Sequence, residues 1–254
     1  MDFQSYYQCI DESKRLFSNK ASSIEYIVTC DIIQNHLKDG MKILEIRAGS
    51  GAYSIAFAEN GYDVCAVEPV LKNIKMMRNK ISKTMKLEII HSNHRILSKF
   101  EDNSFDLVLC LGPLYHLHDE SEQLFCLKEA YRVAKKALFC AFINQEAVFV
   151  SESLYNSKQS MLLTNEYDPY TMIVKDDVFV FHDPNKIKKL FEMANIPYNE
   201  LCGVDFMAEC KQKVINELNE EQFSEWIRYA LLHRNNPHYY GLCNHLLTVT
   251  EKAL

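Results

Sequence analysis

Five short apolar runs, Lys42–Ile46, 63–67, Leu87–His91, 105–111 and 137–143, are interleaved with helical stretches over 52–60, 72–82 and 120–134. This order is that of a doubly wound, mostly parallel sheet, whose ligands bind beyond the carboxyl ends of the strands. The run Phe105-Asp106-Leu107-Val108-Leu109-Cys110-Leu111 is nearly all apolar, as a central strand covered on both faces must be. Hydrophobic residues make up 48% of the 254, enough for one α/β domain with decoration.

The first strand leads into the stretch that points to a ligand. Ile43-Leu44-Glu45-Ile46-Arg47-Ala48-Gly49-Ser50-Gly51 passes from an apolar run with an acid into a loop of small residues, and a helix follows. Strand, glycine loop and helix in that order make a site for a nucleotide-type ligand. Glycine lets the backbone come close, and the helix start offers free amide donors. Arg47 stands where a third small residue is expected. Glu68 closes the second strand, where a carboxylate offers two acceptor oxygens to the vicinal hydroxyls of a ribose.

Outside this core, residues 1–40 read as helical. Ser22-Ser23-Ile24-Glu25 resembles a capping box, and Ile24, Ile27, Val28, Ile32 and Ile33 form a helical stripe that stops by Lys38-Asp39-Gly40. Residues 144–175 are irregular and follow the carboxyl end of a strand, so they read either as a lid or as a surface helix with a loop. Asp183-Pro184 opens a helix to about Ala194, 198–204 is a strand, 220–232 an added helix and His245–Glu251 the last strand. The expected whole is a single domain, 1–254, on a seven-stranded sheet, with 144–175 and 205–240 on the substrate side.

Composition excludes several classes. A net charge of −6 gives no global footprint for nucleic acid. The nine cysteines form no Cys-x-x-Cys pair, so neither a zinc ribbon nor a dithiol motif is indicated; those in apolar runs, such as Cys110, read as buried free thiols in a reducing cytoplasm. His91, His94 and His118 lie in loops without partner cysteines, and no metal site is expected. No leader-like segment is visible, and no apolar run approaches the ~20 residues of a membrane span.

Residues 43–51 resemble the first motif of the class I S-adenosylmethionine-dependent methyltransferases, the Rossmann-like family. Phe105-Asp106-Leu107-Val108-Leu109-Cys110-Leu111-Gly112-Pro113-Leu114-Tyr115-His116-Leu117 is similar to the fourth-strand motif of its small-molecule members. Glu129-Ala130-Tyr131-Arg132-Val133-Ala134-Lys135 resembles the helix before the fifth strand, and Asn244-His245-Leu246-Leu247-Thr248-Val249 the closing strand. The resemblance implies S-adenosylmethionine as cofactor and a small-molecule acceptor. By it, Glu45 and the loop from Ala48 through Gly49 to Gly51 face the methionine end and the ribose, Glu68 the ribose hydroxyls, and Asn93 and His94 the adenine amine. Leu111 and Gly112 line the cleft near the sulfonium, and Tyr115 and His116 face the acceptor. His116 is then the candidate base, or else a structural histidine. Tyr6 and Tyr7 fold over the substrate or pack the first helix.

The chain departs from the family in three places. Arg47 replaces a loop glycine, and it either shrinks the pocket or pairs with Glu45, Glu68 or the cofactor carboxylate. Ile96 stands in place of an acid. Lys135-Lys136-Ala137 lacks the Pro-Gly-Gly turn. The alternative to a methyltransferase is therefore a binding or regulatory protein that keeps the fold with little or no catalysis. The fourth-strand motif disfavours a third class, the nicotinamide oxidoreductases. Oligomeric state has no signature in the sequence.

Overall fold

The computed structural model describes residues 6–7, 11–154 and 160–252; Cys9 and residues 155–159 of the irregular segment lie outside the described residues. The first long helix, α1 (Lys20–Gln34), starts at Asn19, whose side chain accepts from the Ser22 amide. The Ser22-Ser23-Ile24-Glu25 box therefore falls inside the helix rather than at its start. Ile24, Val28, Ile32 and Ile33 are buried, and α1 ends at Gln34, one turn before the Lys38-Asp39-Gly40 signal.

The chain then runs through β1 (Lys42–Ile46), α2 (Ala52–Glu59), β2 (Asp63–Glu68), α3 (Leu71–Arg78), β3 (Leu87–His91), β4 (Phe105–Cys110), α4 (Glu120–Val133) and β5 (Ala134–Asn144). After these come α5 (Gln145–Leu154), α6 (Met161–Thr164), β6 (Phe181–His182), α7 (Pro184–Ala194), β7 (Glu200–Gly203), α8 (Gln212–Glu217), α9 (Glu220–His233) and β8 (His245–Glu251). The sheet order is β3-β2-β1-β4-β5-β8-β7, and the two-residue β6 joins as an eighth strand beside the end of β5. β1 to β5 are parallel, while β8 runs antiparallel between β5 and β7.

This order fixes where a ligand goes. The chain leaves β1 toward β2 on one side, and β4 and β5 build the other side. The loops after β1 and β4 thus part at their carboxyl ends and open a crevice. Leu107, Val108 and Leu109 of β4 are fully buried, each contributing about 1.5–3 kcal/mol by leaving water.

The missing Pro-Gly-Gly turn has a direct outcome: α4 passes into β5 with no residue between Val133 and Ala134. Lys252 secures the junction by donating to the carbonyl of Ala134 at 2.7 Å and to Asn103 Oδ1 at 2.9 Å. Asp183 caps α7 by accepting from the amides of Asn185 and Lys186, with Pro184 in the first turn.

Candidate active site

The loop after β1 takes three left-handed residues in quick succession: Arg47 at φ 59, Gly49 at φ 57 and Gly51 at φ 84. A β-carbon at Gly51 would stand 2.6 Å from Met77 Cγ, so this position demands glycine twice over. Arg47 holds the same conformation without that freedom, at a cost of about 1–2 kcal/mol. It also lies against the loop after β4: a β-carbon on Gly112 would stand 2.9 Å from Arg47 Cβ. Burial disfavours the Arg47 charge and lowers its pKa, while Glu68, Tyr7 and Tyr115 are near enough to act in the opposite direction.

Glu68 ties this loop to the end of β2. Its Oε2 accepts the Gly49 amide at 2.9 Å, and its Oε1 accepts the Val70 amide at 2.9 Å and Asn73 Nδ2 at 3.1 Å. Burial raises the Glu68 pKa and these three donors oppose it. Beneath it, Glu45 is buried and accepts from Ser54 Oγ; burial pushes its carboxyl up to about 7. Asn73 is 2% exposed, and its Oδ1 has no hydrogen-bond partner.

Glu45, Arg47, Ala48, Gly49 and Glu68 line one narrow cavity of about 50 Å³, together with Leu111, Gly112, Tyr115 and His116 from across the crevice. The structure thus brings together nine of the residues singled out from sequence. Three do not line this cavity. Gly51 caps α2 from below. Asn93 is exposed and caps the turn that follows β3, while His94 is buried with Nε2 2.9 Å from Glu122 Oε2. Residues that the sequence did not single out complete the wall: Ser50, Tyr53, Asn73, Glu12 and Arg15. Only Ser50 carried a local signal, its place between two loop glycines.

His116 sits in a short 3-10 turn, Leu114–His116. Its Nδ1 lies 3.0 Å from the carbonyl of Val178, which can only accept, so Nδ1 carries the proton. Nε2 then accepts from the Tyr7 hydroxyl at 3.1 Å. Burial and the Arg47 charge push the imidazole down to about 3, so it stays neutral at physiological pH. Tyr115 donates to the carbonyl of Leu111 at 2.7 Å.

A second cavity, of about 840 Å³, opens beside the first, and Tyr7, Glu12, Arg15 and Tyr115 line both. Its walls come from the N-terminal segment, from α5, α6 and the stretch that follows them, and from Asp205, Ala208 and Glu209. Arg15 crosses the junction, donating from Nη1 to Glu25 at 2.7 Å and from Nε to Glu12 at 2.9 Å. His245 Nδ1 lies 2.9 Å from Asp205 Oδ2 and 3.5 Å from Glu25 Oε2. Burial opposes the charge on His245, but Glu25 and Asp205 outweigh it and raise the pKa to about 9.

Comparison with known proteins agrees with this geometry. Residues 44–142 match the family described as Methyltransferase domain. A glycine/sarcosine N-methyltransferase of Aphanothece halophytica is 32% identical over 96 residues, 37% of this chain. The chain spans only 36% of that relative's length. A ubiquinone biosynthesis O-methyltransferase of Rickettsia typhi is 24% identical over 79% of this chain and 78% of its own. Among solved structures, magnesium protoporphyrin IX methyltransferase from Synechocystis PCC 6803 with bound SAH superposes with a TM-score of 0.56 at 12% identity, covering 96% of this chain and 88% of that one. The methyltransferase-domain match runs from β1 into β5, and the sheet is wound in the order of the class I S-adenosylmethionine-dependent methyltransferase fold.

Proposed function

We propose that the chain transfers a methyl group from S-adenosylmethionine, bound at the glycine loop, to a small molecule held in the larger cavity. The observation that carries this reading is the shared wall: Tyr7, Glu12, Arg15 and Tyr115 face both cavities, so donor and acceptor meet there. The donor set fits the cofactor. Asn73 Oδ1, buried and unpartnered beside Glu68, suits a ribose hydroxyl. The bound cofactor supplies an activated methyl on a sulfonium, so the protein's work is alignment. Leu111 and Gly112 border the sulfonium, and α5, α6 and residues 205–209 enclose the acceptor.

Glu12 must move for this to happen. Its Cγ lies 3.5 Å from where a β-carbon on Gly49 would stand, and about 50 Å³ is little more than a water or two. In our reading His116 is not the base. A neutral imidazole whose lone pair is taken by Tyr7 positions that hydroxyl at the junction. His116→Ala is expected to lower turnover at least tenfold, leave cofactor affinity within twofold and leave the shape of the pH–rate profile unchanged. Loss of a limb near pH 6.5 in that profile would instead make it the base.

One observation favours a second reading, a fold without catalysis: Arg47 and Glu12 crowd the glycine loop. Calorimetric titration with S-adenosylmethionine separates the two. Micromolar binding supports the enzyme, and absence of heat at millimolar ligand in a folded sample supports the second reading.

A further inference from the structure

We propose that the acceptor is an amine, drawn in as its ammonium ion by Glu209, Glu152 and Asp205 in the larger cavity; one of these carboxylates takes an N–H proton, and the freed nitrogen lone pair forms the N–CH3 bond as the methyl's bond to sulfur breaks. The inference rests on the methyltransferase reading above and names its substrate class.

Four carboxylates, Glu25, Glu152, Asp205 and Glu209, cluster around one imidazole, His245, on the cavity wall. Two are matched: Glu25 takes Arg15 at 2.7 and 3.2 Å, and Asp205 takes His245 at 2.9 Å. Among the described residues, the side chains of Glu152 and Glu209 make no ion pair or hydrogen bond with the protein. Asp205 goes further. It is 3% exposed, lines the cavity, and satisfies only Oδ2, with the amide and Nδ1 of His245; Oδ1 has no partner. A buried carboxylate oxygen left without a donor costs about 1–3 kcal/mol or more. The wall is thus built with more negative charge than the chain itself neutralises, and burial together with neighbouring acids raises the Glu209 pKa.

A metal ion does not answer this need. Among the described residues no group of three potential ligands stands close enough to hold one. These acids do not converge as a metal shell does, so an organic cation meets one or two of them at a time through its N–H donors. An anionic acceptor is equally unsuited. The cations that face this space are engaged: Arg15 with Glu12 and Glu25, Lys175 Nζ with the carbonyl of Asn165 at 3.1 Å, His245 with Asp205.

The rest of the cavity suits the body of an organic cation. Tyr6, Tyr7, Tyr115, Phe179 and Phe181 contribute rings, with Tyr6 and Phe179 edge to face at 5.4 Å. Ring faces attract a cation within about 6 Å, most strongly where water is excluded. Val148, Met161 and Val174 add apolar surface. Length is available too, since about 840 Å³ holds a drug-sized molecule.

The test uses the full chain with a library of small amines and, matched to them in size, alcohols and carboxylates. Thermal stabilisation is measured for each, and methylated products are detected by mass spectrometry with methyl-labelled S-adenosylmethionine. Amines are expected to stabilise the protein and to supply the methylated products. Glu209→Gln and Glu152→Gln should each weaken amine binding at least tenfold while leaving S-adenosylmethionine affinity within twofold. Stabilisation by alcohols or carboxylates equal to that by amines overturns the inference. So does amine binding untouched by both substitutions. If S-adenosylmethionine itself gives no binding heat, the methyltransferase reading fails; amine binding measured alongside still decides the charge of the ligand.

Discussion

The acids that line the two cavities are met in opposite ways. On the glycine-loop side, both oxygens of Glu68 are engaged by three donors of the chain, and Glu45 is met by Ser54. On the other side, Glu209 and Glu152 face open space unmatched and Asp205 is half satisfied. The first set holds the loop's shape. The second set waits for a donor that is not part of the protein. The same residue type thus serves architecture in one half and recognition in the other, and the hydrogen-bond inventory tells them apart.

Substitutions can break or sharpen that contrast. The largest effect is expected from Glu68→Ala, which orphans the amides of Gly49 and Val70 together with Asn73 Nδ2. With each unsatisfied buried group costing about 1–3 kcal/mol, chemical denaturation should show a loss of about 3–5 kcal/mol. Next comes His245, which belongs to the satisfied part of the acidic wall. Its folded pKa, about 9, lies above the ordinary 6.5, so its contribution is full below pH 6.5 and disappears as pH rises through about 9. Denaturation of the parent and of His245→Gln should differ by about 3 kcal/mol at pH 6 and converge by pH 10. An unchanged gap at pH 10 would remove the imidazolium from the account.

Arg47→Gly comes third. It relieves about 1 kcal/mol of left-handed strain, offset by lost packing against Gly112. Stability should stay within about 1 kcal/mol, while calorimetry should show tighter S-adenosylmethionine binding. Weaker binding would show that the guanidinium holds the cofactor rather than crowding it. The smallest effect belongs to Glu209→Gln in the absence of ligand. Stability should change by less than about 0.5 kcal/mol, because no contact within the chain is lost. A large destabilisation there would mean that Glu209 is architectural after all.

Much of the first half was legible because its signals are local. β1, β3 and β8 have the boundaries that their sequence runs predict; β1, covered on both faces, writes its length in near-consecutive aliphatic residues, while β3 lies half-exposed at the sheet edge. β5 begins three residues earlier than its apolar run, because without a turn the chain pairs with β4 straight out of α4. Glu45, Gly49 and Glu68 were legible as a site because one strand–loop–helix unit and the next strand end carry them. The acidic wall was not. Glu25, Glu152, Asp205, Glu209 and His245 come from four distant parts of the chain and meet only through tertiary packing. Each alone reads as a solvated charge. Asn93 and His94 illustrate the converse: they occupy a position expected to face a ligand, yet local capping and a bond to Glu122 account for their contacts.

The shared wall has a thermodynamic consequence. Tyr7, Glu12, Arg15 and Tyr115 belong to both cavities, so their arrangement cannot be set for one occupant without being set for the other. Whatever factor the donor contributes to acceptor affinity by moving Glu12 and Arg15, the acceptor returns to the donor in equal measure. On the proposed reading, loss of one occupant changes the affinity for the other by that same factor.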